Sequence, residues 1–363
     1  MLYNDFCGEK VSKLGFGAMR FPDDFNDIQA LIDKSMASGI NYYDTAYVYG
    51  DSEILLGRAL KKYKRDSFYV TSKMPSWYVS KEADIERIFN DSLNRIGVDY
   101  IDYYLIHSVS DDKEIKEKGI YPFLLKKKQE GKIKHLGFSI HGNMNVLKGM
   151  LELGDFDFVQ IQLNYLDVIH DPGLEGYKLL EEKNIPVVIM EPLKGGTLAQ
   201  IPDELAKPFR EISDASYASF AFRWLGQFKN IKVILSGMNA LGQLEDNVKT
   251  FSNYLPLSKE ELKAIAQVKQ NIISAQKVPC TGCKYCMPCP EGVNIPGNFK
   301  VWNTISFKKM TSSHGWISDT GFDPSSSPLK CVACGKCMTH CPQHIKIPDM
   351  IKLMIDDLKL KKG

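Results

Sequence analysis

The stretch FYVTSKMPSWYVSKEADIERIFNDSLNRIGVDYIDYYLIH, residues 68–107, decides the fold. FYVTSK (68–73) and YIDYYLIH (100–107) are short β-rich runs, and DIERIFNDSLNRIG (84–97) between them carries its apolar residues at helical spacing. A strand, a helix and a second strand in that order read as one β/α unit. The alternation extends in both directions, with strands at LGFGAMR (14–20), INYYDTA (40–46), IKHLGFSI (133–140), FVQIQL (158–163), PVVIMEP (186–192) and IKVILSG (231–237). Eight such strands, each followed by a helical stretch, predict an α/β chain closed as a (β/α)8 TIM barrel. An open doubly wound sheet competes with this reading, but no GxGxxG follows the first strand, where such a sheet carries its phosphate loop.

The chain has 363 residues, 44% of them hydrophobic and 25% charged, enough apolar material for one large core and a smaller unit, which excludes disordered and collagen-like classes. With 46 Lys+Arg against 44 Asp+Glu there is no basic excess to draw nucleic acid or a membrane surface, and neither is expected as a partner. No apolar run approaches the roughly 20 residues that span a bilayer. The opening MLYNDFCGEK has acidic residues and no apolar segment of the kind a secretory signal needs, so a cytoplasmic, reducing location is expected.

Three regions follow: a barrel over 1–257, a connecting helix over 258–279 built on KEELKAIAQVKQNI, and a small helical ferredoxin-like domain over 280–363. From Ser258 onward there are 15 Lys, no Arg and 8 Asp+Glu, a local excess of +7. No internal repeat beyond the β/α period is visible, and SSSP (325–328) reads as a loop.

Eight of the nine cysteines lie between Cys280 and Cys341, a clustering that core filling would not produce, and a reducing compartment disfavours disulfides. One run is Cys280, Cys283, Cys286 and Cys289, and the other is Cys331, Cys334, Cys337 and Cys341; each ends in Cys-Pro. The second matches C-x2-C-x2-C-x3-C-P, the spacing in which three cysteines wrap one cubane and the fourth is given to the other; the first is one residue shorter. Two [4Fe-4S] clusters are the expectation. By the crossed pattern, Cys280, Cys283, Cys286 and Cys341 would hold one, and Cys331, Cys334, Cys337 and Cys289 the other. Zinc sites of four thiolates compete, although zinc does not require four close cysteines ending in proline. Eight thiolates around two cores of charge +2 contribute −4, so the lysines read as their counter-charge. Cys7 is given no role.

Polar residues stand where strands two, three and four end: Asp44 in YDTA, Lys73 in TSK and His107 in LIHS, with Tyr49 five residues after Asp44. In a parallel barrel these ends converge on one face. An ammonium beside a phenol favours the phenolate and makes the phenol a better acid. Asp44 would hold Lys73 charged, His107 would orient a carbonyl oxygen, and Tyr49 would supply its proton.

On GFGAMR, YYDTAYVYG, TSK, LIHS, GFSIH, QIQLNY and EPLKGG in this order, residues from about 8 to 257 resemble the aldo-keto reductase superfamily. With the cysteine tail, the chain resembles that family's ferredoxin-fused subgroup. The resemblance implies that Asp44, Tyr49, Lys73 and His107 are the catalytic tetrad of an NAD(P)H-dependent oxidoreductase acting on a small carbonyl or alcohol. Further implied coenzyme contacts are Gly17, Ser139, His141 (where many members have Asn), Gln162 and Met190 (where the family often stacks an aromatic ring). At the last strand, Gly237, Met238, Gln243 and Asn247 are candidates for the adenosine half. MNALGQLEDN offers no Lys or Arg to a 2′-phosphate, so NADH is favoured over NADPH unless another loop supplies the charge.

Two functional readings result. In the first, the barrel transfers hydride and the clusters exchange electrons with a protein partner. Nicotinamide moves two electrons together and a cluster one, so direct exchange needs a flavin or a radical-tolerant substrate, and no flavin motif is present. In the second, the protein senses coenzyme or redox state with structural clusters; a pure binding module has no need of the Tyr49/Lys73 pair.

Overall fold

The computed structural model describes residues 1–169, 172–307 and 324–360. It opens with a hairpin, β1 (Tyr3–Phe6) and β2 (Glu9–Ser12), whose two-residue turn places Cys7 and Gly8 in the left-handed region at φ 55° and 85°. The β/α alternation follows: β3 (Leu14–Gly17), α1 (Phe25–Ala37), β4 (Tyr42–Asp44), α2 (Ser52–Leu60), β5 (Tyr69–Pro75), α3 (Glu82–Ile96), β6 (Ile101–Val109), α4 (Asp112–Glu117), α5 (Ile120–Gln129), β7 (Ile133–Ile140) and α6 (Met144–Leu153). Then come β8 (Phe158–Gln162), α7 (Gly173–Glu182), β9 (Val187–Met190), α8 (Asp203–Arg210), α9 (Tyr217–Gly226), β10 (Ile231–Ser236) and α10 (Leu241–Ser252). β3 to β10 pair in parallel and close into a barrel in the order β10-β3-β4-β5-β6-β7-β8-β9. The (β/α)8 expectation stands, and the hairpin is an addition the sequence reading did not contain.

Side chains alternate along a strand, so every second residue faces the barrel interior. Tyr42, Tyr103, Leu105, Phe158, Val188, Val233 and Leu235 form one buried cluster there. Phe6 of the hairpin is fully buried in it, its ring stacked on Tyr103 at 4.6 Å and edge-on to Phe158 at 5.4 Å. Burying that ring contributes about 1.5–3 kcal/mol. Stepping by two from this apolar layer toward the strand C-termini reaches Asp44, His107, Gln160, Gln162 and Met190. One alternation therefore supplies both the core and the layer above it.

The chain divides into two compact units, Met1–Pro192 with Ala218–Leu257, and Leu193–Tyr217 with Ser258–Gly363. Whereas the sequence reading gave 193–217 to the barrel region, its contacts group it with the second unit. There α8 packs on α11 (Lys259–Ala275), and Asn271 donates from Nδ2 to the Leu205 carbonyl at 2.9 Å. The loop LKGG before α8 lies against the first cysteine run: a Cβ on Gly195 would fall 1.8 Å from the Thr281 carbonyl, and Gly195 adopts φ 62°, so glycine is required on both counts.

The second unit corrects the reading that no further repeat exists. After each fourth cysteine, the third following residue is left-handed (Gly292, φ 71°; His344, φ 50°). The sixth then begins a helix with Ile-Pro, giving α12 (Ile295–Phe307) and α13 (Ile347–Asp357). Matching backbone bonds recur: Gly292 to Cys289 and His344 to Cys341, Ile295 to Val293 and Ile347 to Ile345. Left-handed residues also recur inside the runs, at Gly282 and Lys284 in one and Ala333 and Gly335 in the other. The two halves share a core of Val293, Ile295, Phe299, Trp302, Ile345, Ile347, Ile351 and Met354. The buried Asn303 clamps the chain entering the first run, accepting from Lys277 and Val278 N–H at 3.0 Å each and donating to the Val278 carbonyl at 2.7 Å. No helix among the described residues is long and apolar enough to cross a membrane.

Candidate functional site

Lys73, fully buried two residues before the end of β5, donates from Nζ to Asp44 Oδ1 at 2.6 Å and to the Thr45 carbonyl at 2.7 Å. Burial pushes the Lys73 ammonium below its ordinary pKa and the Asp44 carboxyl above its own, and each partner opposes the other's shift. Asp44 Oδ2 is buried without a partner, so the carboxylate is committed to the lysine on one side only. The turn after β4 returns Tyr49 over this pair, with Lys73 Nζ 5.1 Å from the centroid of its ring. The turn is fixed by Ser52, whose Oγ donates to the Ala18 carbonyl at 2.8 Å and meets Thr45 Oγ1 at 2.7 Å. Tyr49 stands edge-on to His107, ring centroids 5.6 Å apart at 82°.

His107 occupies an irregularity in β6, where the register with β7 shifts between Ile106 and Val109 and Ser108 is left-handed at φ 52°. That conformation sends the Ser108 N–H to Ser139 Oγ at 2.7 Å. Burial holds His107 well below the usual histidine pKa, and Lys73 adds to the shift. The imidazole is thus neutral at physiological pH and carries an N–H to donate. The structure brings all four predicted residues together at the barrel mouth, and the sequence reading missed a fifth. Trp77, 45% exposed on the loop after β5, lies 5.4 Å from the His107 ring and forms a wall beside it. Its signal was weak, because a surface loop tryptophan has no periodicity to mark it.

Of the coenzyme candidates, Ser139, Gln162, His141 and Met190 stand at the ends of β7, β8 and β9 on the same face. The Ser139 oxygen accepts from Ser108 and keeps its own proton to give, which suits a carboxamide oxygen. Gln162 donates to Asp167 Oδ2 at 3.1 Å, and Asn164, fully buried and not singled out from the sequence, donates to the same oxygen at 3.0 Å and to the Glu191 carbonyl at 3.1 Å. Gly17 and Gly237 lie beside each other, and a Cβ on Gly237 would meet only the Gly17 carbonyl oxygen, at 3.8 Å. Met238 is buried, and Asn247 donates to Ser236 Oγ at 3.0 Å, tying α10 to the end of β10. Gln243 accepts from the Asn239 N–H at 3.0 Å. Although the local sequence holds no cation, Lys34 of α1 reaches Glu245 at 3.2 Å, so an ammonium does stand beside this segment.

In the second unit a cavity of about 550 Å³ is ringed by Cys289, Cys331, Cys334 and Cys337, with Cys286 also on its wall. A smaller one is lined by Cys280, Cys283, Cys286 and Cys341. With Cys286, which lines both, assigned to the smaller cavity, each cavity draws three thiols from one run and a fourth from the other. The thiol of Cys286 is pushed up to about 12 by burial and by Cys283, Cys280 and Cys341; that of Cys337 rises through burial and through Cys331, Cys334 and Cys289. Among the described residues no three Cys, His, Asp or Glu side chains come close enough to hold one metal ion. Four thiols spaced around a shared cavity fit a cubane, which places an iron in front of each sulfur, better than a single zinc.

Residues 13–270 match the aldo/keto reductase family model, and residues 279–345 match a 4Fe-4S dicluster domain. The chain belongs to the aldo/keto reductase family. It is 27% identical over 300 positions to an uncharacterized Bacillus subtilis oxidoreductase, YqkF, covering 74% of this chain and 96% of the relative. It is 28% identical over 302 positions to an Arabidopsis thaliana L-galactose dehydrogenase, at 73% and 93% coverage. Among solved structures, the holo form of aldo-keto reductase AKR11C1 from Bacillus halodurans superposes with a TM-score of 0.64 at 26% identity, covering 74% of this chain and 96% of that one. This aldo/keto reductase therefore joins the family barrel to a C-terminal 4Fe-4S dicluster domain.

Proposed function

We propose that the barrel is an NADH-dependent oxidoreductase for a small carbonyl or alcohol, and that the two [4Fe-4S] clusters exchange single electrons with a protein partner in a reducing cytoplasm. The observation that carries the first part is the buried Lys73–Asp44 ion pair beneath Tyr49 and against His107. A buried pair of this kind is expensive to maintain for stability alone. Bound nicotinamide supplies a hydride to the carbonyl carbon or removes one from the alcohol.

The residues of the chain do the rest. Neutral His107 donates an N–H to the carbonyl oxygen and fixes its direction, while Trp77 bounds the space in which the substrate sits. The Tyr49 hydroxyl gives its proton to that oxygen as negative charge develops there. Lys73, kept charged by Asp44, favours the phenolate left behind; in the oxidative direction the same phenolate takes the proton back. Ser139 and Gln162 would hold the carboxamide of the coenzyme, and Gly17, Gly237 and Met238 would border its adenosine half.

In the second unit, Cys280, Cys283, Cys286 and Cys341 would hold one cluster, and Cys289, Cys331, Cys334 and Cys337 the other. Anaerobically purified protein should carry about eight iron and eight acid-labile sulfide per chain; stoichiometric zinc without sulfide would defeat this part. For the barrel, Tyr49→Phe should abolish carbonyl reduction while leaving NADH binding nearly intact, because the phenol acts on the substrate and not on the coenzyme. Turnover by Tyr49→Phe at the parent rate would overturn the assignment.

A further inference from the structure

The two cavities of the second unit differ in how far the chain covers them. Around the one ringed by Cys280, Cys283, Cys286 and Cys341, the walls are the buried Ile295, Phe299, Ile345 and Ile347. Around the other, Cys334 is the exposed member of the cysteine set, and its neighbours are open: Val332 is 62% and Met338 44% exposed. Two apolar side chains left in water on either side of an exposed metal-binding thiol form a small dry patch at the point where a cluster comes nearest the surface. Along the segment that carries this patch the charge is one-sided. Residues 324–348 contain no Asp or Glu, but hold Lys330, Lys336, Lys346, His340 and His344. Lys336 and His340 line the cavity itself, where Glu291 from the first run is the carboxylate present.

We propose that this face is the docking surface through which the cluster of Cys289, Cys331, Cys334 and Cys337 exchanges one electron at a time with an acidic protein carrier. The inference rests on the cluster reading above and adds to it which cluster is the outlet and what charge its partner bears. The step is an outer-sphere transfer: a reduced core, [4Fe-4S]+, returns to 2+, the oxidised carrier gains the electron, and no bond or proton changes hands. The lysines stand outside a thiolate-bound core of net charge −3 when reduced and −2 when oxidised, so they offset the repulsion that core would exert on an acidic carrier and give the carrier's carboxylates partners. Val332 and Met338 supply the contact from which water is expelled. A basic carrier would meet the same lysines and be repelled.

The test uses dithionite-reduced, cluster-loaded full-length protein mixed in a stopped-flow instrument with an acidic [2Fe-2S] ferredoxin, with basic cytochrome c, or with methyl viologen. Ferredoxin should be reduced faster at low than at high salt by at least about tenfold, and Lys330→Glu/Lys336→Glu should cost at least about tenfold of the low-salt rate. The same charge change at exposed lysines of α11, Lys259→Glu/Lys263→Glu, should cost less than about twofold. Cytochrome c should show the opposite salt dependence. Methyl viologen, which needs no docking surface, should accept electrons from all three proteins and so report intact clusters. Equal ferredoxin rates from the two double variants, with viologen reduced normally, would overturn the docking surface and leave the cluster reading standing. Failure of loaded protein to reduce viologen would overturn electron exchange by the clusters, and the docking surface with it.

Discussion

Asp44→Asn isolates the function of the buried ion pair. Lys73 Nζ is fully buried and lies 2.6 Å from the carboxylate that the substitution neutralises, leaving the Thr45 carbonyl at 2.7 Å as a neutral acceptor. At an effective dielectric constant of about 20, a unit charge pair at that distance interacts by about 6 kcal/mol. Measured losses on removing one partner of a buried pair are nearer 3–5 kcal/mol. Removing the carboxylate adds to the lowering that burial already causes, so the lysine holds its proton less firmly than in the parent.

Two results follow for Asp44→Asn. With the ammonium beneath it held less firmly, Tyr49 loses activation, and kcat should fall by about 10²–10⁴ with NADH binding little changed. The sign of the stability effect is also set: the unfolded lysine titrates near its reference value of about 10.4 and the folded one well below it, so between those values the unfolded state binds more protons. Stability of the variant should therefore rise with pH across that window, by up to about 1.4 kcal/mol per unit, and be lowest on its acid side. Urea unfolding of the barrel followed by near-ultraviolet circular dichroism from pH 7 to 10 measures the slope. Asp44→Asn/Lys73→Met, which removes the unpaired charge, should regain most of the stability and none of the activity. An Asp44→Asn variant matching the parent in both stability and pH slope would refute the claim that Asp44 holds Lys73 charged.

Further outcomes are expected elsewhere. Trp77→Ala should raise KM for the carbonyl substrate with a smaller effect on NADH affinity, since the ring bounds the space beside His107; an unchanged KM would remove Trp77 from the site. Isothermal titration should show NADH binding at least as tightly as NADPH, because Glu245 engages Lys34; NADPH tighter by more than about tenfold, a gap of roughly 1.4 kcal/mol, would show that Lys34 or another cation reaches the 2′-phosphate. Cys7, whose thiol is pushed up to about 12 chiefly by burial, should resist iodoacetamide in the native, cluster-loaded protein at pH 8; rapid labelling there would contradict its burial.

The barrel was legible because its evidence is redundant: eight short β-rich runs are each followed by a helical stretch, and the polar residues Asp44, Lys73 and His107 recur near the ends of three successive strands. The hairpin was not legible, because Tyr3–Phe6 and Glu9–Ser12 are four residues each and join through Cys7-Gly8, a weaker turn signal than Asn-Gly or Asp-Gly. The repeat in the second unit is not legible in the sequence because backbone conformation carries it. His344 and Gly292 share a left-handed φ without sharing a residue type, and the second run carries one more residue before its last cysteine. Lys34 could not be paired with Glu245 from sequence, since 211 positions separate them and only barrel closure makes α1 and α10 neighbours.

Transfer of deuterium from NADH carrying two deuteriums at C4 to a small aldehyde or ketone, read by mass spectrometry of the alcohol, tests the central claim most directly. The account predicts one deuterium on the former carbonyl carbon in the product of the parent protein, and no labelled product from Tyr49→Phe. Alcohol formed without deuterium at that carbon would contradict it, because the electrons would then have reached the substrate by a route other than hydride transfer at the barrel mouth.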